Sequence, residues 1–210
     1  MDPNLILNRL VRLAQLDTSP FDEVRDDQRE LVPAVAIVAI SALLAGIGVW
    51  LRLLFVKPDG PIDVDFVKVF LNVWLLGTLV TVVLWGVWVG VTAVVLQSFF
   101  KEPVDMMSLF RTMGYASFPF AASFLVLLPY LHMGIGLAAL VAWFVLSIFA
   151  VQAASGADSG KVIKATLAGF LVFATLLGMF ARGAGIGTGV FIDSESRAVS
   201  EGEFYKINLD

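Results

Sequence analysis

The stretch that decides the fold reads FRTMGYASFP over residues 110–119, and a long apolar run follows it. Arg111 lies just outside this run, Gly114 and Tyr115 open it, and Pro119 follows one turn later. Basic residues near the ends of apolar segments, and Tyr at the boundary between water and lipid, are typical of membrane spans. We therefore expect a span to begin at Tyr115, with its hydroxyl near a polar partner and Gly114 in close backbone contact.

The composition also indicates a membrane protein. Of the 210 residues, 59% are hydrophobic and only 15% are charged, whereas soluble domains average about 45–50% apolar and about 25% charged. A chain of this size cannot hide such an excess inside a globule, because much of its surface stays exposed. A bilayer is the solvent that this composition favours.

Several classes of site are excluded by the residues that the chain lacks. It has no Cys and one His, which excludes disulfides, thiolate metal sites and histidine clusters. Its formal charge of −4 argues against a nucleic-acid partner. No metal and no cofactor is predicted.

The apolar pattern predicts an all-α, multi-pass membrane bundle of five transmembrane helices. Helices need about 20 apolar residues to cross the hydrocarbon core. An amphipathic and acidic N-terminal region, 1–31, precedes the membrane domain 32–181, and a polar acidic tail, 182–210, follows it. The predicted spans cover residues 32–56, 69–99, 115–130, 134–154 and 162–181.

The N-terminal residues 4–16 show helical spacing, with four apolar residues near one face and Arg9 and Arg12 beside them. Two interpretations stay open. One is an amphipathic helix that lies in the membrane interface, and the other is a helix packed on the rest of the protein. The four apolar residues are Ile6, Leu10, Leu13 and Leu16.

Small residues at a spacing of four predict faces where spans approach each other closely. Basic residues near the span ends predict anchors that reach the interface. The predicted helix-contact residues are Gly86, Gly90, Gly134, Ala138, Ala142, Ala165 and Gly169, and the predicted anchors are Arg52, Lys57, Arg111, Lys164 and Arg182.

The chain resembles the Yip-domain family, the Ypt/Rab-interacting proteins and their prokaryotic relatives. The resemblance rests on the Gly114–Tyr115 pair and on Pro119, which in that family open the third of five spans, and it extends over about residues 5–181. It implies a surface helix before the first span and an N-terminus in the cytoplasm.

Eukaryotic members of that family bind prenylated small GTPases and show an Asp-Leu-Tyr-Gly-Pro motif. Here the loop before the second span reads DGPIDVDF over residues 59–66, so a GTPase partner is not carried over. The expected partners are the lipid bilayer and either another membrane protein or a second copy of the chain.

The favoured function is non-enzymatic: membrane organisation, or a scaffold that binds a partner. Ser117 and His132 are residue types that a hydrolase dyad uses. They are fifteen residues apart in the predicted third helix, which separates them by roughly 22 Å, well beyond hydrogen-bond reach. No catalytic residue is therefore predicted.

The alternative is a small-solute permease or channel, with polar Asn72, Ser123, Ser147 and Gln152 along a path. Hydrogen bonds between helices explain the same four residues. The middles of the five predicted spans carry no Asp or Glu, and coupled transporters keep such groups inside. This argues against transport.

The distribution of basic residues predicts the orientation. Eight lie in the N-terminal region and in the second and fourth loops, and six lie in the first loop and the tail. Basic residues near span ends favour the cytoplasm. The N-terminus is therefore expected in the cytoplasm and the C-terminus outside, in the cell membrane of a prokaryote.

Overall fold

The computed structural model describes residues 2–55, 67, 70–128 and 130–191, and within these ranges it is helical with no strand, as the predicted all-α class requires. We number the α-helices in chain order. They are α1 (Pro3–Ala14), α2 (Pro20–Asp26), α3 (Leu31–Phe55), α4 (Leu71–Phe99, with π-helical turns at both ends), α5 (Met106–Tyr115), α6 (His132–Ser155) and α7 (Ser159–Ala184); 3₁₀ segments cover Gln28–Glu30, Phe118–Leu127 and Gly189–Phe191.

Short-range signals place several helix ends. The carboxylate of Asp2 accepts a hydrogen bond from the amide of Asn4, and Asp105 does the same for Ser108. Such side chains satisfy amides that have no partner inside the helix. At the other ends, Gly156 and Gly185 adopt left-handed conformations just after α6 and α7, where glycine is the residue without steric cost.

Among the described residues, four helices are long and apolar enough to cross a membrane. They are Gln28–Arg52, which includes most of α3, and the helices α4, α6 and α7, and they support a multi-pass membrane protein. The predicted anchor Lys57, the loop sequence 59–66 and the tail beyond Phe191 lie outside the described residues.

The third apolar segment differs from the single helix expected over 115–130. Tyr115 ends α5, and Pro119 lies in the first turn of the 3₁₀ segment Phe118–Leu127. Proline has no amide hydrogen, and its ring clashes with the carbonyl four residues earlier, which here is that of Tyr115. The α-helix therefore stops before Pro119, and the five-span count is not confirmed because this segment is not a long helix.

The third segment nevertheless runs alongside α3 in the same direction. Gly114 lies against Ala34, and Gly48 lies against Phe124. From Ala34 to Gly48 an α-helix rises roughly 21 Å. From Gly114 to Phe124 the chain is mostly 3₁₀-helical, and at about 2.0 Å per residue it rises roughly 20 Å. The stretched 3₁₀ geometry thus lets fewer residues match the depth of α3.

Aromatic side chains form the centre of the bundle. Trp88 of α4 is fully buried, and its ring centroid lies 5.4 Å from those of Trp143 and Phe173. Phe120 of the 3₁₀ segment stacks on Trp143 at 4.9 Å. Ring contacts at these distances stabilise a core beyond the area they bury, and here they join α4, α6, α7 and the third segment.

Candidate functional site

Three side chains tie the N-terminal region to the start of the third segment. The Tyr115 hydroxyl donates to Oε2 of Glu30 at 2.5 Å, and the Arg9 guanidinium donates to the other oxygen, Oε1, at 2.7 Å. We call residues 2–30 the N-terminal cap, and Arg9, Glu30 and Tyr115 the cap lock. Because Glu30 directly precedes α3, the cap lock joins α1, the first span and the Gly-Tyr pair at one end of the bundle.

The cap lock is buried and fully paired. The side chains of Arg9 and Glu30 are only 8% and 10% exposed, and Arg9 also donates to Glu23 at 3.0 Å. Burial lowers the pKa of Arg9, but the hydrogen bonds that Arg9 donates to Glu30 and Glu23 outweigh burial and raise that pKa above its usual value. Removing one partner from such a pair leaves a buried charge without compensation, which is strongly destabilising.

Arg111 forms a second tie between the cap and the bundle. Its guanidinium donates to the backbone carbonyl of Arg25, at 2.9 Å from Nε, and the Ser108 hydroxyl donates to the same oxygen at 3.1 Å. This carbonyl lies in the last turn of α2, where helices leave carbonyls without partners. Arg111 is 5% exposed, so it is a buried strut between α5 and α2 and not the interfacial anchor expected from its position.

A third group of ion pairs lies on the outside of the cap. The Arg12 guanidinium contacts Asp17 at 2.9 Å and Glu23 at 2.6 Å. Hydrogen bonds from Ser19 and then from Arg12 lower the pKa of Asp17 to about 2. Arg12, and more weakly Arg9, also hold the pKa of Glu23 below its usual value against the effect of burial. These pairs fix the turn between α1 and α2.

The Gly-Tyr pair has the close packing expected of it. A Cβ added to Gly114 would lie 2.6 Å from the Cβ of Ala34 and 2.9 Å from its backbone. Real Cβ atoms do not approach so closely, so α3 and α5 touch at Gly114 because it has no side chain. Gly114 brings the backbones together, and Tyr115 then reaches Glu30 at the start of α3.

These observations agree with the comparison to known families. The family model of the Yip1 domain matches residues 15–181, which is well over half of the chain. The chain belongs to the Yip1-domain family. Comparison with curated proteins and with solved structures found no match.

In this Yip1-domain chain, α1 packs on the bundle with one part of its apolar surface. Leu13 is fully buried, and Ile6 and Leu10 are partly buried against the same core. Leu7 and Val11, on the other side, are 61% and 47% exposed. Leu16, expected on the packed face, is 81% exposed because the helix ends at Ala14.

Two of the predicted helix-contact sets face neighbouring elements. A Cβ on Gly169 would meet the Trp88 backbone oxygen and the Thr92 hydroxyl at 2.7 Å, so α4 and α7 approach closely there. Ala165, one turn earlier, is fully buried. The other pair lies on the opposite side of α4 and faces α5. A Cβ added to Gly86 would lie 3.9 Å from the Phe110 ring, and one added to Gly90 would lie 3.7 Å from the Met106 side chain.

The third set, on α6, lies elsewhere than expected. Gly134 and Ala138 are exposed, Ala142 is half-buried, and nothing lies within 4 Å of a Cβ added to Gly134. The inward face of α6 carries Gly136, Ala139, Leu140, Trp143, Leu146, Ser147, Ala150 and Val151 instead. Both faces contain small residues at helical spacing, and the large Trp143 ring determines which face turns inward.

The remaining predicted anchors lie near helix ends. Arg52 is half-buried in the last turn of α3, and Lys164 and Arg182 are exposed near the two ends of α7. The sequence does not mark Arg9 and Glu30 as site residues. A charge beside an apolar run is usually solvated, and nothing in the sequence pairs Arg9 or Tyr115 with Glu30.

Proposed function

We propose that this protein is a non-enzymatic membrane scaffold that organises the membrane or holds a partner through its N-terminal cap. The observation that supports this most is the cap lock, in which buried Arg9 and Tyr115 share the two carboxylate oxygens of Glu30. A cap held this firmly keeps Leu7 and Val11 exposed at a fixed place beside the membrane helices. Family membership supports a membrane role without catalysis.

The proposal includes five crossings, with the third segment as the shortest. The cap then faces the cytoplasm of a prokaryotic cell, and the C-terminal tail lies outside its cell membrane. The exposed apolar side of α1, at the level of the span ends, suits the lipid interface. It also suits an apolar surface on a membrane-protein partner or on a second copy of the chain. A GTPase or a nucleic acid is not part of the proposal.

The hydrogen bonds of three of the four polar span residues argue against the permease alternative. The Ser147 hydroxyl donates to the carbonyl of Trp143, within its own helix, at 2.9 Å. Gln152 contacts Ala157 and Ser159 at the turn between α6 and α7. Asn72 donates to the carbonyl of Ala184, the last residue of α7, at 3.5 Å. These three side chains donate to backbone carbonyls within or between helices, whereas Ser123, the fourth, has no hydrogen-bond partner among the described residues.

Photo-crosslinking in native membranes tests the scaffold. A photoreactive amino acid at Leu7 or Val11 is expected to give lipid adducts or one discrete protein adduct, because these side chains face outward. The matched control is the same probe at buried Leu13, which is expected to react within the chain. Equal adduct patterns at Leu7 and Leu13 would count against the proposal. Solute uptake by proteoliposomes that Ser147→Ala abolishes would favour the permease.

A further inference from the structure

The chain does not leave the bundle at the end of α7. Gly185 turns it back, and the amide of Ile186 donates to the carbonyl of Phe180 at 3.2 Å. Thr188 is then fully buried, with its hydroxyl 3.1 Å from that of Thr81 in α4. We call the segment 185–191 the plug. The glycine-rich stretch after the fifth span, which suggests a linker, is thus packed inside the end of the bundle opposite the cap.

Phe191 is the large apolar side chain by which the plug packs on the spans. It packs against a small core made of one residue from each of four membrane segments, and its ring also meets that of Phe173 edge-on at 6.5 Å. The four residues are Val49 of α3, Val73 of α4, Val126 of the 3₁₀ segment and Ala181 of α7. The spans at this end therefore meet around a residue that belongs to none of them.

Two glycines of the plug have left-handed backbone conformations. Gly185 and Gly189 have φ values of 63° and 62°, a conformation that glycine adopts readily and other residues rarely do. Gly77 at the start of the regular part of α4 gives the plug its room, because a Cβ there would lie 2.6 Å from the carbonyl oxygen of Gly187. These two glycines are the positions of the plug at which the backbone can change conformation with the least steric cost.

The plug also covers the polar side chain of Ser123. The Ser123 hydroxyl is fully buried and has no hydrogen-bond partner among the described residues. It lies 3.5 Å from the place where a Cβ on Gly189 would sit, so the plug is its lid. Burial of Phe191 favours the closed state, whereas the cost of an unpaired buried hydroxyl favours an open one.

We propose that the plug is a lid that opens and closes a crevice lined by the hydroxyls of Ser123 and Thr81 between α4 and the third segment. In the open state Phe191 leaves the small core and water reaches Ser123. This inference does not depend on the scaffold function of the cap, because it concerns the opposite end of the bundle. The plug also contacts none of the three cap-lock residues in the bonds described above.

The absence of Cys from the chain makes the lid directly testable. Ser123→Cys is the reporter, and its labelling by a water-soluble, membrane-impermeant thiol reagent is followed in proteoliposomes. Phe191→Ala is expected to raise the labelling rate about tenfold or more, because it removes the side chain that favours the closed state. The matched reporter is Ser147→Cys, equally buried but in the middle of α6, and its rate is expected to stay unchanged.

A rate at Ser123→Cys that Phe191→Ala leaves unchanged would overturn the lid, and so would an equal rise at both reporters, which means that the whole bundle has loosened. A second measurement uses the pair Thr81→Cys and Thr188→Cys. Mild oxidation of the folded protein is expected to form a disulfide between these two positions. In a protein that keeps Ser123, this disulfide should slow amide hydrogen exchange around that residue. Failure of this pair to join, when the protein melts normally, would contradict the placement of the plug.

Discussion

The hydroxyl of Tyr115 donates a 2.5 Å hydrogen bond to the Glu30 carboxylate, across 85 residues of sequence. Glu30 ends the cap, and Tyr115 belongs to the Gly-Tyr pair on which the resemblance to the Yip domain rests. Since Arg9 binds the other oxygen of the same carboxylate, the family motif and the N-terminal helix meet at one group. We therefore infer that the Gly-Tyr pair helps to hold the cap on the bundle.

Tyr115→Phe tests this role. It removes one donor from a buried carboxylate and leaves the aromatic ring in place, so the free energy of unfolding is expected to fall by about 1–3 kcal/mol. The cap should loosen before the spans do. We expect faster tryptic cleavage after Arg12 and Arg25, together with a lower melting temperature in detergent.

The control for this variant is Tyr130→Phe, which removes the same hydroxyl from a residue that is 98% exposed. It is expected to leave both cleavage and melting unchanged. A Tyr115→Phe protein that behaves like the control would show that Arg9 alone holds Glu30 and that the tyrosine hydroxyl contributes little.

Gly114→Ala tests the contact between α3 and α5. Its new methyl group would lie 2.6 Å from the Cβ of Ala34, so the helices must separate, and such overpacking costs about 1–3 kcal/mol. The matched control is Gly134→Ala, where nothing lies within 4 Å and alanine favours the helix. Thermal melting of both variants in detergent measures the difference. Equal melting temperatures would contradict a close contact at Gly114.

Acid should release the outer part of the cap. The pKa of Asp17 is lowered to about 2, and that of Glu23 is also lowered. A carboxylate with a depressed pKa stabilises the fold fully above its unfolded pKa of about 4 and loses this effect as the pH falls through its folded value. The turn between α1 and α2 is therefore expected to hold at pH 5 and above and to loosen between about pH 4 and about pH 2.

The anisotropy of a dye on Val11→Cys measures this release. Arg12→Gln removes the cation that pairs with Asp17 and Glu23, so the anisotropy should already be lower at neutral pH and should change less with acid. The control is Arg29→Gln, an exposed residue of the same cap. An acid transition that Arg12→Gln does not alter would mean that other carboxylates hold the turn.

The sequence predicts the helical class and the positions of four long apolar helices because these depend on local hydrophobicity and on breakers such as Pro103 and Gly156. Gly114 and Tyr115 also have local signals, because a small residue permits close helix contact and tyrosine is common at span boundaries. These features depend on neighbours in the chain, which one sequence contains.

The rest depends on partners far apart in the chain. Nothing near Glu30 indicates that Arg9 and Tyr115 neutralise it, and nothing near Arg111 shows that its partner is the Arg25 carbonyl. The inward face of α6 is set by Trp143 stacking on Phe120, so the small stripe at Gly134 and Ala138 is misleading. Likewise, the sequence does not indicate the plug, because its glycine-rich composition is that of a linker.

The number of crossings turns on the third segment, and reporter fusions decide it. α5 and the 3₁₀ segment together lie alongside α3 from Ala34 to Gly48, roughly 21 Å of helix rise, which is most of a hydrocarbon core about 30 Å thick. We therefore expect a full crossing. A phosphatase active only outside the cell, fused after Leu131, should then be active, and the same enzyme fused after Phe99 or after Ser155 should be inactive. Activity after Ser155 but not after Leu131 would contradict the full crossing, because the structure places the end of α6 beside the cap, where Arg25 donates to the carbonyl of Ala153.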